Sequence, residues 1–224
     1  MVEIISQITT DYNFVLASAA GLFLASFSSL FSVANPTAAM PIFLSLTQDY
    51  SETERKSTAL WTSIYMFLIL VVFLFAGTAI LSFFGISLSG IRIAGGLIIM
   101  RAAFSMLNPD KSGKKLTDED EEEAMLKDDI TFSPLAMPML SGPGSIAVVI
   151  GFASQATGMS DYLIHSLSIT LVVLIAYVVL RLSPVIMKYM GTTGMNVMTR
   201  MMGFIALAIS VQFILSGVSL FFNV

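Results

Sequence analysis

Cysteine is absent from the 224 residues and histidine occurs once. With no thiol there is no disulfide framework, no thiolate metal site and no redox pair. The fifteen methionines, Met195, Met198, Met201 and Met202 among them, lack the His, Cys or acidic company that a metal path would use, and they read as packing residues. Charge is scarce as well: 12 % of residues are charged against 56 % hydrophobic, and the mean hydropathy is +0.86. That composition excludes an ordinary soluble domain, and nothing in the charge pattern points to a nucleic-acid partner. No basic region precedes the first apolar segment, where Glu3 and Asp11 stand instead. A cleaved signal peptide is therefore not expected, and the first helix is read as retained.

What the chain has is long runs without charge, at 12–48, 57–91, 130–160 and 201–224. Each exceeds the roughly 20 residues a helix needs to cross a bilayer, and none alternates every second residue as a barrel strand would. The expectation is an all-α membrane protein with six transmembrane helices, at about 14 or 20 to 47, 58–83, 91–107, 132–155, 162–182 and 195–216. Between the third and fourth, residues 108–129 carry nine acidic residues against four lysines. Such a segment reads as a solvated linker, without the alternating ligands and glycine of an EF-hand.

Two spans are interrupted. The first holds Asn35-Pro36-Thr37-Ala38-Ala39-Met40-Pro41, and the fourth holds Pro134, Pro138 and Ser141-Gly142-Pro143-Gly144-Ser145. Proline removes a backbone donor and crowds the preceding turn, so the first span is predicted to kink or unwind between Pro36 and Pro41. Irregular backbone at membrane depth belongs where it is buried or lines a polar cavity. The spacing around the breaks repeats. Pro36 precedes Arg92 by 56 residues and Pro143 precedes Arg200 by 57, and each arginine is followed three residues later by glycine, Gly95 and Gly203. The plan implied is two inverted three-helix repeats with broken first helices, residues 1–107 and 132–224, joined by the linker at 108–131. Lys and Arg outside the spans fall on the linker side only, which places the acidic linker in the cytoplasm and both termini outside.

Freed carbonyls and amides at the breaks, with Ser32, Asn35, Thr37, Ser141 and Ser145 nearby, suit a small zwitterion. A pair of packing kinks would need the same prolines. Arg92 and Arg200 are expensive inside a membrane and are read either as solute contacts or as structural anchors. Spans two to six lack interior carboxylates, so coupling, if present, would use sodium or protons held by other groups; no cofactor and no resident metal is expected. His165 lies too near a span end to form a hydrolytic dyad with Ser141 or Ser145, and an Asp161–His165 pair at i,i+4 is the simpler reading. Catalysis is not expected.

The motifs assembled resemble the MarC family of bacterial inner-membrane proteins, related to small neutral amino acid transporters. The resemblance lies in Asn35-Pro36 with 41–47, in 84–97 through Gly90-Ile91-Arg92 and Gly95-Gly96, in 134–138 with Gly142-Pro143-Gly144, and in 200–204 with 211–213. It implies a bacterial inner-membrane location and transport or export of a small neutral solute, an amino acid such as glycine or alanine. Asn35, Pro36, Thr37, Ser141, Gly142, Pro143, Gly144 and Ser145 would then form the solute site. The alternative is a non-transporting scaffold or regulatory protein that uses the acidic linker as its contact surface. Gly and Ala stripes would serve an oligomer or internal packing equally, and oligomeric state is left open.

Overall fold

A computed structural model describes residues 2–108 and 130–222; the acidic segment 109–129 lies outside the described residues. Seven helices follow in order: α1 (Val2–Ala34), α2 (Pro36–Leu46), α3 (Glu52–Phe83), α4 (Leu88–Leu107), α5 (Thr131–Leu140), α6 (Pro143–Gln155) and α7 (Met159–Phe222). There is no strand among the described residues. Five stretches are long and apolar enough to cross a membrane: Ser18–Leu46, Glu52–Phe83, Leu88–Leu107, Met159–Gly191 and Thr193–Phe222. The expected fourth span is different, because α5 is irregular and α6 has only 13 residues.

The irregularities follow the prolines. Proline pushes the residue before it out of the right-handed helical region. Ser133 (φ −129°, ψ 120°) precedes Pro134 and Met137 (φ −133°, ψ 126°) precedes Pro138, so α5 is interrupted twice and its turns widen to five-residue hydrogen bonds. Leu135 N–H thus donates to the Ile130 carbonyl at 3.4 Å and Ser141 N–H to that of Ala136 at 2.8 Å. Gly142, before Pro143, is extended. In the first span the break is confined to Asn35, and α2 continues through Pro41, where a kink or unwinding between Pro36 and Pro41 was expected. Pro36 occupies the first position of α2, where the missing N–H costs nothing, and Pro41 removes a single bond from an otherwise intact helix. The turn after the fifth span is also later than expected. Helix α7 runs through Pro184 to Gly191, whose φ of 62° and ψ of −178° divide it. Ser183 Oγ donates to the Leu180 carbonyl at 2.7 Å, the acceptor that Pro184 leaves without its partner.

Small residues set the closest helix contacts, as expected where lipid removes any hydrophobic preference for packing. A Cβ on Gly96 of α4 would stand 2.9 Å from the Ser210 carbonyl oxygen and 2.7 Å from Ile214 Cγ1. On Gly203 it would stand 3.2 Å from the Ala103 carbonyl oxygen and 3.4 Å from Leu107 Cγ. These contacts are reciprocal under a shift of 107 positions, which carries Gly96 to Gly203, Ala103 to Ser210 and Leu107 to Ile214 and is also the separation of Pro36 from Pro143. Helix α4 and the second half of α7 are thereby antiparallel. Buried Met66, Leu70 and Leu74 of α3 face inward, and Gly77 lets α3 close on Ile150 of α6. Large apolar side chains such as Val72, Phe75, Phe204 and Leu215 are exposed, which suits a lipid-facing surface. Buried hydroxyls return to a carbonyl one turn back, Ser63 to Ala59 at 2.8 Å and Ser168 to Ile164 at 3.0 Å, so few polar groups are left to solvate.

Candidate functional site

Asn35 is the only described non-glycine residue with positive φ (41°). Pro36 denies it the right-handed region, and asparagine tolerates the left-handed one because its side chain bonds locally. Its Oδ1 accepts from Thr37 Oγ1 at 2.7 Å and from the Ala38 N–H at 3.3 Å, and its Nδ2 donates to Met106 Sδ at 3.3 Å. The polar atoms of Asn35 and the hydroxyl of Thr37 are thus committed to forming the break, and both residues are buried.

The second break is less satisfied. Helix α6 begins at Pro143 after Gly142, which has no side chain with which to cap it, so the first amides of the helix are left to other partners. Ser141 is wholly buried and its hydroxyl has no hydrogen-bond partner. Ser145 Oγ donates to the Leu140 carbonyl at 3.0 Å. Gly142, Pro143, Gly144 and Ser145 line a cavity of about 120 Å³ with Val33 of α1, Met139 of α5, Ala206 of α7 and a face of α4 running from Ile98 to Met106. A Cβ on Gly144 would lie 3.1 Å from Ile99 and 3.2 Å from Val33. Glycine here brings the start of α6 against the end of α1. The breaks therefore meet, with the second lining the cavity directly and the first bordering it through Val33 and the Asn35–Met106 bond.

Several predicted residues stand elsewhere. Arg92 reaches from α4 to Ser216 Oγ at 2.6 Å and to Ser154 Oγ at 3.5 Å; it joins α4, α6 and α7 and does not line the cavity. Arg200 is exposed in the last span and does not line the cavity. His165 is buried, with Nδ1 2.9 Å from Ser26 Oγ and its ring stacked on Phe152 at 4.9 Å. Asp161 accepts from the N–H and Oγ1 of Thr157 at 2.8 and 2.9 Å, so each member of the expected i,i+4 pair has another partner. The apolar wall, Val33, Ile99, Met106 and Met139, escaped sequence reasoning because nothing distinguishes these residues from lipid-facing ones. No group of three or more His, Cys, Asp or Glu able to hold a metal occurs among the described residues.

The fold and cavity define a multi-pass helical membrane protein with two broken helices meeting at a small, uncharged cavity. The family model described as MarC family integral membrane protein matches residues 20–222, and the chain belongs to that family. It is 37 % identical over 199 residues to the UPF0056 inner membrane protein MarC of Escherichia coli O1:K1 / APEC, covering 84 % of this chain and 90 % of the relative. It is 37 % identical to the UPF0056 membrane protein YvbG of Bacillus subtilis (88 % and 94 %) and 35 % identical to a UPF0056 membrane protein of Buchnera aphidicola subsp. Schizaphis graminum (90 % and 94 %). No solved structure matches the chain.

Proposed function

We propose that the chain is a secondary transporter or exporter of a small neutral solute, an amino acid such as glycine or alanine, and that it works by alternating access around the paired breaks. The observation that carries the reading is the cavity at the uncapped start of α6. It has backbone donors and a partnerless buried hydroxyl close by, no charged side chain, and a volume of about 120 Å³. That is room for about four waters, each taking ~30 Å³ of liquid, or for one solute of similar size. The positive end of α6 favours a carboxylate.

The inverted-repeat reading is supported by the reciprocal contacts at a shift of 107, since an antiparallel pair related in this way is what two oppositely inserted copies produce. Residues 1–107 and 132–224 would be the two copies. The cavity follows α4 toward its C-terminal end, the side of the linker. With the linker cytoplasmic and both termini periplasmic in an inner membrane, this cavity would be the inward-facing half of the site. The same shift converts Met139 into Ser32 and Met106 into Phe213, and these would line the outward-open state.

Counterflow of radiolabelled glycine, alanine and serine in proteoliposomes tests the proposal. Wild type should exchange at least one of them, while Gly142→Leu, which fills the cavity, should not. Absence of counterflow for all three with monodisperse wild-type protein would overturn it.

A further inference from the structure

A second cavity, of about 220 Å³, lies at the N-terminal end of α7 and is lined by Ser26 and Ser29 of α1, Gln155 of α6, and Asp161, His165 and Phe213 of α7, among others. We propose that it is a second solute subsite, selective for a primary ammonium group and standing in line with the cavity at the breaks.

Alignment comes from shared helices. Ser26, Gly151 and Phe213 line this cavity, and Val33, Gly144 and Ala206, each seven residues away on the same three helices, line the other. Seven residues are two turns, about 10 Å. Within the second cavity, the Phe213 ring edge is 3.5 Å from where a Cβ on Gly151 would be.

Selectivity comes from the polar atoms. The Ser26 hydroxyl has one proton, which it donates to the Leu22 carbonyl at 2.7 Å. With that proton on the Leu22 carbonyl, the hydroxyl accepts from His165 Nδ1–H across their 2.9 Å contact. In that tautomer Nε2 of the neutral ring is left as an acceptor for the ammonium. The flat stack with Phe152 holds the imidazole in place. Asp161 supplies a carboxylate positioned by Thr157. No Lys or Arg lines the cavity; the guanidinium of Arg92 reaches Ser154, next to Gln155, and is bound by Ser216. An acceptor-rich, partly aromatic cavity attracts an ammonium and repels a free carboxylate. Its place on a transport path rests on the function proposed above, whereas the binding does not.

Because His165 is the only histidine, ¹⁵N-histidine labelling of the full chain in lipid nanodiscs reads the site directly. Methylammonium should shift the Nε2 resonance saturably and acetate should not. Asp161→Asn, which keeps an oxygen for Thr157, should weaken methylammonium binding by about tenfold or more, the effect of losing one charge-assisted bond. Gly142→Leu, which blocks the break cavity and should abolish counterflow, should bind methylammonium as wild type does. No methylammonium shift, an equal response to acetate, an unchanged affinity in Asp161→Asn, or loss of the shift in Gly142→Leu would each overturn the proposal. Wild type that binds methylammonium but exchanges no amino acid would sink the transporter reading and leave the subsite standing.

Discussion

Replacing Asn35 separates two effects that usually run together. In the middle of a helix, alanine is more stabilising than glycine by about 1 kcal/mol. At position 35 the order should reverse. Asn35→Ala removes an acceptor used by Ala38 N–H and by Thr37 Oγ1, worth about 1 kcal/mol as a helix cap. It also leaves the buried Thr37 hydroxyl without that acceptor, at about 1 kcal/mol or more, while the backbone stays at the φ of 41° that Asn35 already holds with a Cβ. The total is ~2 kcal/mol or more. Asn35→Gly loses the same bonds but relieves the ~1–2 kcal/mol that a Cβ costs in the left-handed region, so it should cost ~1 kcal/mol or less. Thermal or denaturant unfolding of detergent-solubilised protein measures both, and Asn35→Gly should be the more stable variant. If alanine equals or exceeds glycine, the left-handed break is not what ends α1.

Other substitutions probe the contacts one at a time. Gly96→Ala and Gly203→Ala should each lose about 1–3 kcal/mol by overpacking, because the new methyl meets backbone oxygen on the facing helix. Gly21→Ala, with no neighbouring atom within 4 Å, should be neutral or gain up to ~1 kcal/mol; the three melting temperatures check this order. Ser183→Ala should lower stability by about 1 kcal/mol, since the Leu180 carbonyl then lacks both its helical donor and its hydroxyl. Arg92→Gln should destabilise the junction with Ser154 and Ser216 while leaving the counterflow KM within about twofold, below the ~1.4 kcal/mol of a tenfold change; a large rise in KM would make Arg92 a solute contact.

The proline positions made the existence of both breaks legible, and the pre-proline rule explains Ser133, Met137 and Gly142 individually. Locating the first break at Asn35 alone required knowing that a buried threonine would support a left-handed cap. The length of α7 was hidden by Ser183-Pro184, where a hydroxyl supplies the bond that proline removes. The spacing pattern that reads as a repeat left the packing register ambiguous by one residue. The arginines are separated by 108 positions and the prolines by 107, and the helix contacts follow the prolines, pairing Gly96 with Gly203 where Gly95 had been matched. Gly95 turns instead to Ala147 of α6. Of the proposed site, the small residues of the second break were legible because glycine and serine are conspicuous among apolar neighbours. Met106 and Val33 become site residues only through the contact between α1, α4 and α6.

Alternating access requires the two breaks to be alternately exposed halves of one site, and a sequence without cysteine lets that be measured directly. Met139 is half-buried and lines the present cavity, whereas Ser32, 107 positions earlier, is buried. Single Met139→Cys and Ser32→Cys variants in proteoliposomes should react with a membrane-impermeant thiol reagent from opposite sides. A transported amino acid that shifts the conformational balance should raise one rate while lowering the other. Labelling of both from the same side, or rates that move together, would contradict alternating access around paired breaks.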